Sequence, residues 1–203
     1  MQCVPDTLPI VRPATPPARV HWLPATADWA AQLKDWIAQG KQREALPWLV
    51  AYRREAWAQA LLGEIRWKDE ASSHKAFRWF RRAAPRSENQ DPVVLRLAQC
   101  YEKGIGTSVN LFMAWHFYVR AAKALNVESL EALGDLESQG LLLPINRVRA
   151  GMWYMVCCAL IKDDHRKAAI EDRLSDLVCG GGREAIDRLC DDAWQWLCDY
   201  TTE

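Results

Sequence analysis

The feature that most constrains this chain is internal repetition. Three segments superpose: HKAFRWFRRAA from His74, LFMAWHFYVRAA from Leu111 and RVRAGMWYMVCCA from Arg147. In each, an alanine is followed three and four residues later by two aromatics: Ala76 with Trp79 and Phe80, Ala114 with Phe117 and Tyr118, Ala150 with Trp153 and Tyr154. These alanines are spaced by 38 and then 36 residues. A second motif lies ahead of each copy, at Leu62-Gly63, Leu97-Ala98 and Leu133-Gly134, spaced by 35 and 36. Two independent motifs share one period, the signature of an array in which each unit is one supersecondary element.

The units read as helix pairs. Apolar residues recur at helical spacing over stretches of about 10–15 residues, separated by Gly40, Gly104 with Gly106, Gly140 with Pro144, and Gly180–Gly182. Strand signals are absent. The pattern predicts helices over 27–39, 42–53, 55–67, 73–84, 92–103, 110–124, 128–139, 146–161, 166–179 and 183–200, with Thr26 or Asp28 capping the first. Pro47 lies inside the second and should kink or shorten it. An Ala or Gly on one helix lets a neighbour approach closely, and an aromatic on the same face fills the gap between repeats. One helix pair cannot bury both its faces, so units must stack. Each buried aromatic contributes about 1.5–3 kcal/mol, and eleven tryptophans suit such wedges. The expected fold is all-α: an α/α superhelix, a short solenoid of about three repeats with a degenerate N-terminal helix pair and a C-terminal capping helix pair.

Residues 1–26 carry Pro5, Pro9, Pro13, Pro16, Pro17 and Pro24 with no helical or strand period, which predicts a flexible arm. Residues 27–162 form the expected array and 163–203 an acidic helical cap. Lys plus Arg and Asp plus Glu both number 26, and this balance argues against nucleic acid as the partner. The charge is unevenly placed: residues 1–162 hold 21 basic and 15 acidic side chains, residues 163–203 hold 5 and 11. A soluble acidic end segment accounts for this simply; electrostatic steering of a partner toward the basic body is the sharper reading. No apolar run is long enough to span a membrane, and the first residues lack the order of a secretory signal. A cytoplasmic protein is expected, or a periplasmic lipoprotein if Cys3 is the remnant of a trimmed, lipid-anchored end. The seven cysteines include no C-x-x-C pair, which predicts buried reduced thiols rather than zinc ligands or a disulfide framework.

No residue cluster reads as a catalytic or metal site. Gly104-Ile105-Gly106 follows no strand and lacks the rest of a phosphate loop, so it reads as a helix–helix turn. His21, His74, His116 and His165 have no second ligand at helical spacing. Asp163-Asp164-His165 could be an acid/base cluster, but its place before a helix favours capping. Cys157-Cys158 lies in an apolar helix without a nucleophile's setting. Arg78, Arg81, Arg82 and Arg86 surround Trp79, and a solvated face explains them better than a ligand patch. Neither an enzyme nor a cofactor is expected.

The stretch LRLAQCYEKGIGTSVNLFMAWHFYVRAA resembles the Sel-1-like repeat family, an α/α repeat of about 36 residues related to tetratricopeptide repeats. Leu97, Ala98, Tyr101, Gly104, Gly106, Ala114, Phe117, Tyr118, Ala121 and Ala122 sit at the family's positions. The flanking copies depart from the pattern. The first has WKDEASS in place of the G-x-G turn and Arg66 at the tyrosine position; the third has Glu137 there and a turn ending in GLLLP. Ala45 and Trp48 suggest a partial earlier copy, and EDRLSDLVCGGGREAIDRLCDDAW resembles a closing helix pair. The resemblance implies a protein-binding module, an adaptor, chaperone-like or immunity-type protein of bacterial kind, with a self-assembling scaffold as the alternative. It also implies that the first helix of each pair lines the concave side. One residue past each small position come Glu64, Gln99 and Asp135, and three further on Trp67, Glu102 and Ser138. With Trp57 and Arg96 nearby, a protein partner is expected there, the chain itself being a monomer or weak oligomer.

Overall fold

The computed structural model describes residues 27–68, 72–88, 92–140, 147–178 and 182–201. Residues 1–26, and with them the expected arm, Cys3 and Thr26, lie outside this set. Among the described residues the chain is helical, with no strand. The helices are α1 (Ala27–Ala38), α2 (Gln42–Ala51), α3 (Ala56–Lys68), α4 (Ser73–Ala83), α5 (Pro92–Lys103), α6 (Leu111–Ala122), α7 (Val127–Ser138), α8 (Arg147–Leu160), α9 (Asp164–Val178) and α10 (Gly182–Thr201). A 3-10 turn, Ala84–Arg86, extends α4.

Boundaries depart from the sequence expectation where local chemistry intervenes. Asp28 lies inside α1 and so is not its cap. α2 ends at Ala51, four residues after Pro47, where the Tyr52 amide still donates to the Trp48 carbonyl but no regular turn follows. α9 begins two residues early because the Asp163 carboxylate accepts the His165 amide at 3.0 Å and the Arg166 amide at 3.4 Å. Asn110 and Asn126 cap α6 and α7 in the same manner, each accepting an amide three residues on at 3.0 Å.

Each unit is a hairpin: α3 packs on α4, α5 on α6 and α7 on α8. The contact that sets their approach joins a small residue on the first helix to the second aromatic on the second. A Cβ placed on Gly63 would lie 2.3 Å from Phe80 Cε1, and one on Gly134 would lie 2.3 Å from Tyr154 Cε1. Ala98 and Tyr118, the equivalent residues of the middle hairpin, are buried in one cluster. The two aromatics of each pair therefore differ in role, and the space between repeats is filled by one of them, the first. Trp79 packs on the cluster of α1–α3; Phe117 stacks on Tyr101 with centroids 5.9 Å apart and also meets the α4–α5 cluster; Trp153 meets Trp196 of α10 edge-on at 5.1 Å. The core runs as three successive clusters, α1–α3, α4–α5 and α5–α10, the last taking in Ile170 of α9 and Ala193 of α10.

The G-x-G segment is a helix–helix turn, closing α5 with Gly104 at φ +71° and an Ile105 amide bond to the Cys100 carbonyl at 2.9 Å. Gly106 sits against the start of α4, where an added Cβ would meet the His74 carbonyl oxygen. The position occupied by Tyr101, between Phe77 and Phe117, is filled differently in the third unit. There the buried Glu137 accepts the Trp115 indole N–H at 2.9 Å and the Arg149 Nε–H at 2.5 Å, linking α6, α7 and α8.

Cys100 and Cys157 are buried, Cys158 is half-buried, and Cys190 and Cys198 of α10 are exposed. The expectation of uniformly buried thiols thus fails on α10, whose polar face these two residues share. Burial pushes the Cys100 and Cys157 thiols up to about 12. At about pH 8, alkylation of the native protein will modify Cys190 and Cys198, and Cys100 and Cys157 only after unfolding; peptide mapping by mass spectrometry reads this. Replacing Gly63 or Gly134 by alanine will lower the unfolding free energy by roughly 1–3 kcal/mol, measured by urea denaturation, because the aromatic ring has nowhere to retreat.

Candidate functional site

The first helices of successive units form one row. α3 and α5 meet mainly through side chains, and Arg96 of α5 is their junction. Its Nε donates to Glu64 Oε1 at 3.2 Å, its Nη1 donates to Gln99 Oε1 at 3.0 Å, and its guanidinium carbon stands 5.2 Å from the Trp67 ring centroid. Trp67 leans on Phe80, the ring that occupies the Gly63 notch, with centroids 6.1 Å apart. The Gly–aromatic contact and the polar group above it are therefore one construction.

Beside this group a cleft of about 610 Å³ opens between α1, α3 and α5. Ala31, Ile37, Ala60, Leu61 and Val93 give it an apolar lining, and Lys34, Trp57, Glu64 and Arg96 complete it. Trp57 is held by Tyr52 with centroids 5.5 Å apart. Side-chain exposures of 31% for Arg96 and 22% for Glu64 leave the ion pair partly solvated. Such a pair is worth on the order of 0.2–1 kcal/mol, so an incoming carboxylate could replace Glu64 at little cost.

The structure divides the eight residues singled out in the sequence, with Ser138 turned back to donate its hydroxyl to the Asp135 carbonyl at 3.1 Å. Trp57, Glu64, Trp67, Arg96 and Gln99 come together around Arg96 and the cleft. Glu102 and Asp135 are instead engaged by tyrosines of the second helices. Tyr118 donates its hydroxyl to Glu102 Oε2 at 2.8 Å, and Tyr154 donates to Asp135 Oδ1 at 2.6 Å. Asp135 also accepts from Arg173 of α9 at 3.0 Å, while Arg166 and Arg173 both reach Glu131. The C-terminal half of the row is thus closed by arginines of α9, leaving a smaller cleft of about 470 Å³ beside Arg147 and Asp176. Lys34 and the α1 wall carried no repeat motif to reveal them. Arg173 lies 38 residues from Asp135, and only a repeat period continued into α9 could have paired them.

Burial, and then the bond to Asp135, push the Tyr154 phenol up to about 12; burial and the bond to Glu102 also raise Tyr118. Among the described residues no group of three or more His, Cys, Asp or Glu is placed to hold a metal ion, and no helix is long and apolar enough to cross a membrane. Arg78, Arg81, Arg82 and Arg86 are exposed on the second-helix side; Arg82 lies over Trp79 at 5.6 Å and Arg86 donates to the Arg54 carbonyl at 3.1 Å.

Hairpins of similar size stacked in sequence, each with the same notch-and-ring contact, define an α/α repeat solenoid. The Sel1 repeat family matches residues 58–84 and 94–124, the first two full hairpins. A crystal structure of a protective antigen from uropathogenic Escherichia coli strains, displaying an SLR fold, is similar with a TM-score of 0.66 at 21% identity, covering 78% of this chain. This chain spans 34% of that protein. A Sel1 repeat protein from Oxalobacter formigenes is similar with a TM-score of 0.62 at 22% identity, covering 82% of this chain and 70% of its own. No curated protein sequence matches. The chain carries two Sel1 repeats and has the fold of Sel1-like repeat solenoids. Its third hairpin lies outside the family match, yet Gly134 and Tyr154 repeat the contact made by Gly63 and Phe80.

Because the Tyr154 phenol ionises at higher pH in the folded state than in the unfolded chain, near 10, its contribution to stability is complete below about pH 10 and is lost as pH rises through 12. Urea midpoints measured across this range will fall, and the Tyr154→Phe variant will show a shallower decline.

Proposed function

We propose that the protein is a non-catalytic interaction module that grips a protein partner on the row of first helices, with Trp57, Glu64, Trp67, Arg96 and Gln99 as its contact residues. The observation that carries this reading is the Arg96 group. A guanidinium, a carboxylate, an amide and an indole converge at the edge of an apolar cleft, partly open to solvent. Arginine and tryptophan beside apolar recesses are the residues that dominate protein interfaces. Repeat solenoids use the surface formed by successive units for this purpose. Glu102 and Asp135 serve the same surface indirectly, by fixing the tyrosines beneath it. An adaptor, chaperone-like or immunity-type role fits such a module, and both similar structures come from bacteria.

The test is capture of binding proteins from the native host on immobilised wild type, Arg96→Glu and Trp67→Ala, with the second-helix variant Arg82→Glu alongside. Proteins held by wild type and Arg82→Glu should be lost from the other two, with affinity reduced by roughly 2 kcal/mol, about thirtyfold. Equal recovery on all four would refute this assignment.

A further inference from the structure

The two ends of the array offer surfaces of matching chemistry. At the first end lies the α1–α3–α5 cleft, apolar within and bearing Lys34 and Arg96 at its wall. At the other end α10 turns Trp194 to solvent, 70% exposed and the most exposed large apolar side chain among the described residues. Cys190, Trp194 and Cys198 stand at i, i+4 and i+8 on one face of α10, joined by Asp191, all exposed; Asp192 and Asp199 are exposed further round the helix. Arg188 is the basic neighbour on this side of the helix. One surface is an apolar recess with Lys34 and the Arg96–Glu64 pair at its wall, the other an apolar projection beside Asp191.

We propose that the Trp194 face of α10 seats in the α1–α3–α5 cleft of a second copy of this chain, giving weak head-to-tail association. The contact belongs between copies, because α1 packs on α2 and α3 while α10 is held at the far end by α8 and α9. The opposite face of α10 is already committed, with Ala193 buried and Trp196 against Trp153. Charge selects the orientation. Residues 1–162, which hold the cleft, carry 21 basic against 15 acidic side chains and residues 163–203, which hold α10, carry 5 against 11, so α10 of one copy is attracted to the body of another. The interface is heterologous, one copy offering its cleft and the next its helix, so association can continue beyond two copies. It also occupies the cleft used in the proposed partner binding, and a partner would have to displace it.

Sedimentation velocity of the full chain over a roughly hundredfold concentration range tests this. Wild type should gain average mass with concentration and lose that gain as salt is added. Trp194→Ser and Lys34→Glu, both at exposed helix positions and checked for retained helicity, should each weaken association by at least about tenfold. The variant Asp191→Lys should behave alike. Mixing it with Lys34→Glu should restore association, since each protein keeps the surface the other has lost. A wild-type mass that stays constant, variants that associate as wild type does, or a mixture that remains monomeric would each overturn the proposal. Partner binding is read separately: Trp194→Ser keeps the Arg96 group, so its capture of host proteins reports on the proposed function alone.

Discussion

The structure rests on a missing side chain facing a ring. At Gly63 and Gly134 the first helix of a hairpin has no Cβ, and the ring of Phe80 or Tyr154 occupies the space one would fill. This close approach brings the aromatic up beneath the residues one and four positions beyond the notch. Trp67 then leans on Phe80, and Glu102 and Asp135 receive the hydroxyls of Tyr118 and Tyr154. The chemistry of the exposed row is thus settled by how closely the two helices behind it can approach.

The two halves of the row use different physics. On α1–α3 and α5, apolar packing holds the helices from behind and leaves a recess in front, with one partly solvated ion pair across it. On α7 and α9, arginines tie the helices together across the front, at Glu131 and Asp135. Surface ion pairs add little stability singly, but here they join residues already aligned by the shared core of α7–α10. They close a surface that the N-terminal half keeps open.

The fold was legible because a period is a long-range signal that needs no knowledge of any contact. The spacing of Ala76, Ala114 and Ala150 reports stacking, and the glycines report where helices end. The aromatic three residues past each alanine was legible as the filler between repeats; that the next one enters the notch of its own hairpin was not, since Trp79 and Phe80 are adjacent in sequence and differ only in direction. Of the site, the residues counted from the notch were found, with Arg96 and Trp57 beside them. What escaped was everything supplied by helices without a repeat motif: Lys34 on α1, and Arg166 and Arg173 on α9. The bond of Asp135 to Arg173 escaped for the same reason, its donor lying one whole unit away.

One position shows how far the copies have diverged. Where the second unit places Tyr101 between two aromatic rings, the third places Glu137 on an arginine and an indole, and the first has Arg66. Tyr101 and Glu137 each meet a partner on the preceding hairpin, Phe77 and Trp115. The units are consequently not spare parts of one another. Excising the middle one would leave a carboxylate without Trp115, so the order of the hairpins is written into their joints and the array can neither be shortened nor shuffled as uniform repeats can.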